Sequence, residues 1–133
     1  MNFDVPYAIT RRLAQCSVAA ARERITEALK NEGFGVITEI DMQATLEKKL
    51  GVQIAPYVIL GACNPKLAHA ALSAEPAVGL LLPCNVVVAQ DGEDAVLSAI
   101  APESMFAAMQ SKSAIDAVAK DADARLRRAI ASA

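Results

Sequence analysis

The side chains with the most reactive chemistry lie in the middle of the chain, between residues 56 and 90. Cys63 and Asn64 close one apolar run, Cys84 and Asn85 lie inside a second, and His69 stands between the two runs. Thiolate and imidazole groups bind soft metals, and a thiolate also acts as a nucleophile or a redox group. The segment therefore suggests a site for a small ligand, a metal or haem, or a thiol-dependent reaction.

A metal site in this segment would use Cys63, His69 and Cys84. Zinc and copper sites usually take three or four ligands, and the segment holds no C-x-x-C pair, so the metal-binding pattern is weak. The alternative interpretation is two buried cysteines and a surface histidine without a metal. A second copy of the chain would supply a second histidine. Of the two cysteines, Cys63 is the better candidate nucleophile, because Cys63 precedes a predicted helix whose positive end favours a thiolate. His69 is the candidate base for it.

The carboxylates of Glu39 and Asp41 lie two residues apart on one face of a predicted strand, about 6–7 Å from each other. Such a pair could do acid–base chemistry or bind a cation. It could also face solvent and be balanced by Lys48 or Lys49. If a partner covers that face of the sheet, both carboxylates need polar partners of their own. Both residues are therefore included in the predicted site.

The two asparagines each follow a cysteine. Asn64 precedes Pro65, a pattern that is typical of turns. Asn85 lies inside an apolar strand, where a buried amide must find partners, so it belongs either to a structural polar network or to a ligand contact. Pro83 in the same strand predicts a bulge, and bulges often lie beside binding sites.

Composition and charge exclude several classes of protein. The 133 residues fit one domain, residues 1–133, with an aliphatic core, since apolar residues make up 54% of the chain and aromatic residues 4%. A formal net charge of −2 and the scarcity of aromatic side chains argue against nucleic acid as a partner. No apolar stretch approaches the roughly 20 residues of a membrane helix. Three cysteines without a signal peptide indicate a reduced, cytoplasmic protein.

Hydrophobic periodicity and turn signals predict alternating strands and helices. The predicted strands are 5–13, 34–42, 57–63, 77–89 with a kink at Pro83, and 93–101; the predicted helices are 18–31, 42–50, 66–74, 103–109 and 113–130. In the strand 34–42 the even-numbered residues are expected in the core. Long helices at the two ends would pack on one face of a mostly antiparallel sheet, which is a two-layer α+β fold. A second copy of the chain would cover the other face and give a C2 homodimer.

Four segments carry a recognisable pattern, in this order: GFGVITEID at 33–41, YVILGACNP at 57–65, EP at 75–76 and GLLLPCNVVV at 79–88. They resemble the domain of unknown function 302 family, and the resemblance spans residues 5 to 130. It implies an α+β fold similar to the TATA-binding-protein topology, small size and homodimers. It implies no assigned activity, and Cys16 lies outside the motifs and inherits no role.

The leading interpretation is a cytoplasmic, homodimeric and non-catalytic domain that binds a small ligand, a metal or haem near the Cys63–His69–Cys84 segment. The first alternative is a small enzyme with Cys63 as nucleophile or redox thiol and Glu39 or Asp41 as base. The second is a structural or interaction module without a ligand. Serine hydrolases and phosphate-loop proteins are excluded, because the sequence has no G-x-S-x-G motif and its G-F-G matches no phosphate-binding fingerprint.

Overall fold

The computed structural model describes residues 2–107, 109 and 113–133. The strands within these residues are β1 Ala8–Leu13, β2 Gly35–Asp41, β3 Tyr57–Cys63, β4 Cys84–Asp91 and β5 Asp94–Ile100. The α-helices are α1 Val18–Asn31, α2 Met42–Leu50, α3 Pro65–Ala74, α4 Pro102–Phe106 and α5 Ser113–Ser132, and a 3₁₀ helix covers Pro76–Leu81. The strands form one antiparallel sheet in the order β1-β5-β4-β3-β2, which confirms the predicted α+β fold.

Helix α1 has the bounds that the sequence predicts. The hydroxyl of Ser17 accepts a hydrogen bond from the Ala20 N–H at 3.1 Å and caps the first turn. The helix ends before Gly33, whose φ of +83° is a conformation that side-chain-bearing residues rarely adopt. Because both ends are set by residues adjacent to the helix, local sequence is sufficient to place it.

The core lies between the sheet and the two long helices, α1 and α5, which pack against each other on one face. The buried residues of α1 recur at helical spacing and include Ile25 and Leu29, and those of α5 include Leu126 and Ile130. They meet the alternate residues of the central strands, which include Leu97 on β5. This face of the sheet is called the helix face below, and the opposite one is called the open face.

A bulge in β2 makes one predicted pattern wrong. Val36 pairs with Ala62 and Thr38 pairs with Gly61, so Ile37 has no opposite residue on β3. One extra residue reverses the direction of all the side chains that follow it. The even-numbered residues are therefore in or near the core up to Val36, whereas Thr38 and Ile40 lie on the open face.

The predicted long strand 77–89 is also wrong in its first half. Residues Pro76–Leu81 form the 3₁₀ helix, in which Val78 is the buried residue, and β4 begins only at Cys84. A short apolar run is ambiguous between helix and strand, and Pro83 cannot donate a hydrogen bond to a strand ladder. Among the smaller differences, β1 begins at Ala8, and residue 108 of the predicted helix 103–109 lies outside the described residues.

The chain's own N-terminal segment covers part of the open face. Thr10 Oγ1 donates to the Phe3 carbonyl at 3.1 Å, and the ring of Phe3 stacks on Tyr57 with 6.4 Å between centroids. Ile40, further along this face, is 47% exposed. The homodimer that would cover this face stays a prediction.

Candidate functional site

A cavity of about 310 Å³ lies on the helix face, at the end of the sheet where β3 stops and β4 starts. Its wall comes from both of these strands, from the segment around β2, from α3, α4 and α5, and from the residues that lead into β4. The lining residues are Phe34, Ile37, Ala62, Cys63, Asn64, Leu67, Ala68, Ala71, Leu72, Gly79, Leu82, Pro83, Cys84, Phe106, Val118 and Ala122. Almost all of these side chains are apolar, and no charged side chain is among them.

Small side chains explain why the space exists. Ala68 and Ala71 on α3, Ala122 on α5 and Ala62 on β3 all face the cavity, and an alanine fills little of the gap between packed elements. The sequence by itself does not predict this cavity. Its wall joins residues that are up to 88 positions apart in the sequence, so no local pattern signals it.

Asn64 holds the helix that forms one wall. Its Oδ1 accepts a hydrogen bond from the Leu67 N–H at 3.2 Å, and its Nδ2 donates to the Glu32 carbonyl at 3.5 Å. Pro65 follows at the first helical position, where its missing N–H costs no hydrogen bond. The turn role predicted for Asn64 thus takes the form of a helix cap, and the amide is engaged on both sides.

The structure brings Cys63 and Cys84 into the same cavity wall, because β3 and β4 are adjacent strands. Cys63 is half-buried at the end of β3, and Cys84 is buried at the start of β4, paired with Ala62. Burial, and after it the charge of a neighbouring Cys63 thiolate, raises the pKa of Cys84 from its ordinary value of 9.0 to about 11. Cys84 is therefore a neutral thiol at physiological pH, and Cys63 is the more accessible of the two.

The raised pKa of Cys84 predicts a loss of stability in alkali. Below pH 9 the thiol is protonated in the folded and the unfolded chain alike, so its full contribution is present. Between pH 9 and about 11 the unfolded chain loses this proton first, and the free energy of unfolding should fall by about 2 to 3 kcal/mol. Urea denaturation at a series of pH values measures the effect. Cys84→Ala is the control, and parallel profiles for variant and wild type would contradict the assignment.

His69 is not part of the cavity wall. It lies on α3 with its side chain exposed, and its carbonyl accepts a hydrogen bond from Ser73 Oγ at 2.7 Å. Within the described residues, no group of three or more His, Cys, Asp or Glu side chains is placed to hold a metal ion. Within one described chain, therefore, Cys63, His69 and Cys84 do not come together as a three-ligand centre.

Glu39 and Asp41 share a strand face, as predicted, but they have structural partners. The bulge turns both toward the helix face, where Glu39 forms an ion pair with Arg22 of α1 at 2.6 Å. Asp41 Oδ1 accepts from the Ala44 N–H at 2.9 Å and caps α2. An Asp directly before a predicted helix is the signal that would have identified this cap. The partners differ from the expected Lys48 and Lys49, and neither carboxylate lines the cavity.

Asn85 lies on the open face, away from Cys63 and Cys84. Its side chain is exposed, so the expectation of a buried amide is wrong. It borders a second cavity of about 310 Å³, together with Phe3, Tyr57 and Val87. The predicted site residues are thus divided between the two faces of the sheet, and only Cys63, Asn64 and Cys84 share the apolar cavity.

The fold is that of a small α+β protein with a five-stranded antiparallel sheet covered by helices on one face. The family model for the domain of unknown function DUF302 matches residues 9–133, and the chain belongs to this family. Its structure is similar to the crystal structure of an uncharacterized conserved DUF302 protein from Bacillus stearothermophilus, with a TM-score of 0.87 and 29% sequence identity. The match covers 96% of this chain and 98% of the other.

Comparison with curated proteins gives no match. Of the helices in the described part of the chain, none has the length and apolar character needed to cross a membrane.

Proposed function

We propose that this protein binds a small apolar ligand in the cavity beside Cys63 and Cys84. The observation that carries the proposal is the cavity itself, which has about 310 Å³ of space and an apolar wall. This volume is within the range of small-molecule sites, and such sites are mostly apolar with a few polar groups. Burial of an apolar ligand there would be favourable because both the ligand and the wall lose contact with water.

The composition of the wall favours an apolar molecule over a metal ion as the ligand. The described wall contains two thiols and one amide but no imidazole and no carboxylate. Two thiols are fewer than the three or four ligands that zinc and copper sites usually take. The apolar side chains, by contrast, come from every element around the cavity.

Filling the cavity should weaken the binding of an apolar probe. Naphthalene is suitable, because a cavity of about 150 Å³ accepts benzene and this one is about twice as large. Ala68→Phe places a ring in the cavity, since Ala68 is part of its wall, and should weaken naphthalene binding by at least about tenfold. A fluorescence titration of naphthalene measures the affinity.

Ala70→Phe is the matched control, because Ala70 lies on the same helix with its side chain exposed. Equal affinities for the two variants, or no binding to the wild type, would refute the proposal. A thermal denaturation of each variant shows whether it is folded.

Catalysis with Cys63 as the nucleophile is the second candidate function. It is favoured by the position of the half-buried Cys63 in the wall, directly before the capped end of α3. Glu39 and Asp41 lie outside the wall, so neither supports the role of base in this site. The rate of alkylation by iodoacetamide at neutral pH, with Cys63→Ala as the control, tests this candidate, because a catalytic thiolate reacts much faster than an ordinary thiol. A rate for wild type no higher than that of an ordinary thiol would refute it.

A further inference from the structure

We infer that the ligand is a single-chain amphiphile, whose aliphatic chain of about ten carbons fills the cavity and whose polar end stays at the surface. The inference rests on the proposed function and names the class of ligand. It is carried by two observations. In the described wall the polar side chains are two thiols, which bond weakly, and the Asn64 amide, which is already hydrogen-bonded. The apolar wall also continues to the surface.

The interior of the cavity suits the hydrocarbon part of a ligand and offers little to a polar part. Both polar atoms of the Asn64 amide are already engaged, one with the Leu67 N–H and the other with the Glu32 carbonyl. The remaining polar side chains of the described wall are the thiols of Cys63 and Cys84, which are weak hydrogen-bonding groups. A ligand hydroxyl or carboxylate placed inside would lose its water without gaining a strong partner, which is unfavourable.

The opening of the cavity is rimmed by exposed aliphatic side chains. Ile37 and Leu72 both line the cavity, yet they are 62% and 42% exposed. The β2 bulge leaves Ile37 without a cross-strand neighbour at this point, and bulges often redirect a side chain toward a site. The aliphatic surface is continuous from the interior to the rim. An aliphatic ligand could therefore lie along it and keep its polar group in water.

The size of the cavity sets the length of the chain. At about 310 Å³ it has about twice the volume that holds the six carbons of benzene, which corresponds to roughly ten to twelve carbons. A carbon chain longer than this would place its outer methylenes on the rim, where they stay partly hydrated. We therefore expect affinity to rise with chain length and then to level off.

A titration with straight-chain alkanoates of six to sixteen carbons, at concentrations below micelle formation, tests the inference by isothermal calorimetry. The association constant should rise about fourfold per methylene, which corresponds to about 0.8 kcal/mol, up to roughly ten carbons. Beyond roughly twelve carbons the gain should fall below about twofold per methylene. Ala68→Phe should move the plateau to shorter chains, and Ala70→Phe should leave it unchanged.

The outcomes separate this inference from the proposed function. The inference is overturned if naphthalene binds but no alkanoate does, or if the alkanoate affinities are independent of chain length. In either case the apolar cavity remains a binding site. A plateau that Ala68→Phe does not move also overturns the inference, because the chain would then lie elsewhere. If neither naphthalene nor any alkanoate binds, both proposals fail.

Discussion

Gly61→Ala should destabilise the protein by about 3 to 4 kcal/mol, one of the two largest losses that we expect from single substitutions in this chain. Gly61 is buried in β3, and a Cβ atom at this position would clash with Thr38 Oγ1 and lie 2.8 Å from Pro83 Cγ. The two neighbours come from the adjacent strand and from the segment before β4, so the Thr38 side chain and Pro83 or β3 itself must shift to accept the methyl group. Urea denaturation of the two proteins measures the loss.

Gly35→Ala is the matched control for this substitution. Gly35 is also a strand glycine, but a Cβ atom there would meet nothing within 4 Å, so the change in stability should stay within about 0.5 kcal/mol. The double variant Thr38→Ala, Gly61→Ala should recover part of the loss, because it removes the overlap with Thr38 Oγ1 and leaves Pro83 Cγ as the close neighbour. A Gly61→Ala protein as stable as Gly35→Ala would show that β3 can shift to accept the methyl group.

Leu126→Ala should cost about 3 to 5 kcal/mol, because the side chain is fully buried where α5 meets the core. Removing its terminal carbons leaves a hole among aliphatic neighbours, and the surrounding helices and sheet can collapse into it only in part. The midpoint of urea denaturation should fall with little change in the slope of the transition.

Leu50→Ala tests whether burial is the cause of that loss. Leu50 is also in a helix, but its side chain is 70% exposed, so its truncation should change the free energy of unfolding by no more than about 0.5 kcal/mol. Similar losses for the two leucines would contradict the position of α5 in the core.

Three of the residues proposed for the site lie together in the structure, and their binding of a ligand stays a prediction. Cys63, Asn64 and Cys84 are brought together because β3 and β4 are neighbours, a pairing that two apolar runs joined by a short helix make plausible. Asn85, one residue beyond Cys84, points to the opposite face because successive side chains of a strand alternate. Asn85 pairs with Gly61 of β3, whereas Cys84 and Val86 on either side of it face the core.

The sequence by itself determines the elements whose signals are local. Ser17 caps α1, Asn64 and Pro65 start α3, and Gly51 ends α2 in a left-handed conformation, and each signal acts on residues within a turn of itself. The periodic aliphatic faces of α1 and α5 likewise predict which sides these helices bury. These features require no knowledge of what packs against them.

Only the tertiary structure decided the bulge at Ile37, the 3₁₀ helix before β4 and the apolar cavity. A bulge is defined by its pairing with another strand, and the apolar run 77–82 is equally compatible with strand and helix until its neighbours are known. The cavity exists because small side chains from α3, α5 and β3 face the same space. Packing of distant elements, rather than the local conformation of any one of them, therefore creates the candidate site.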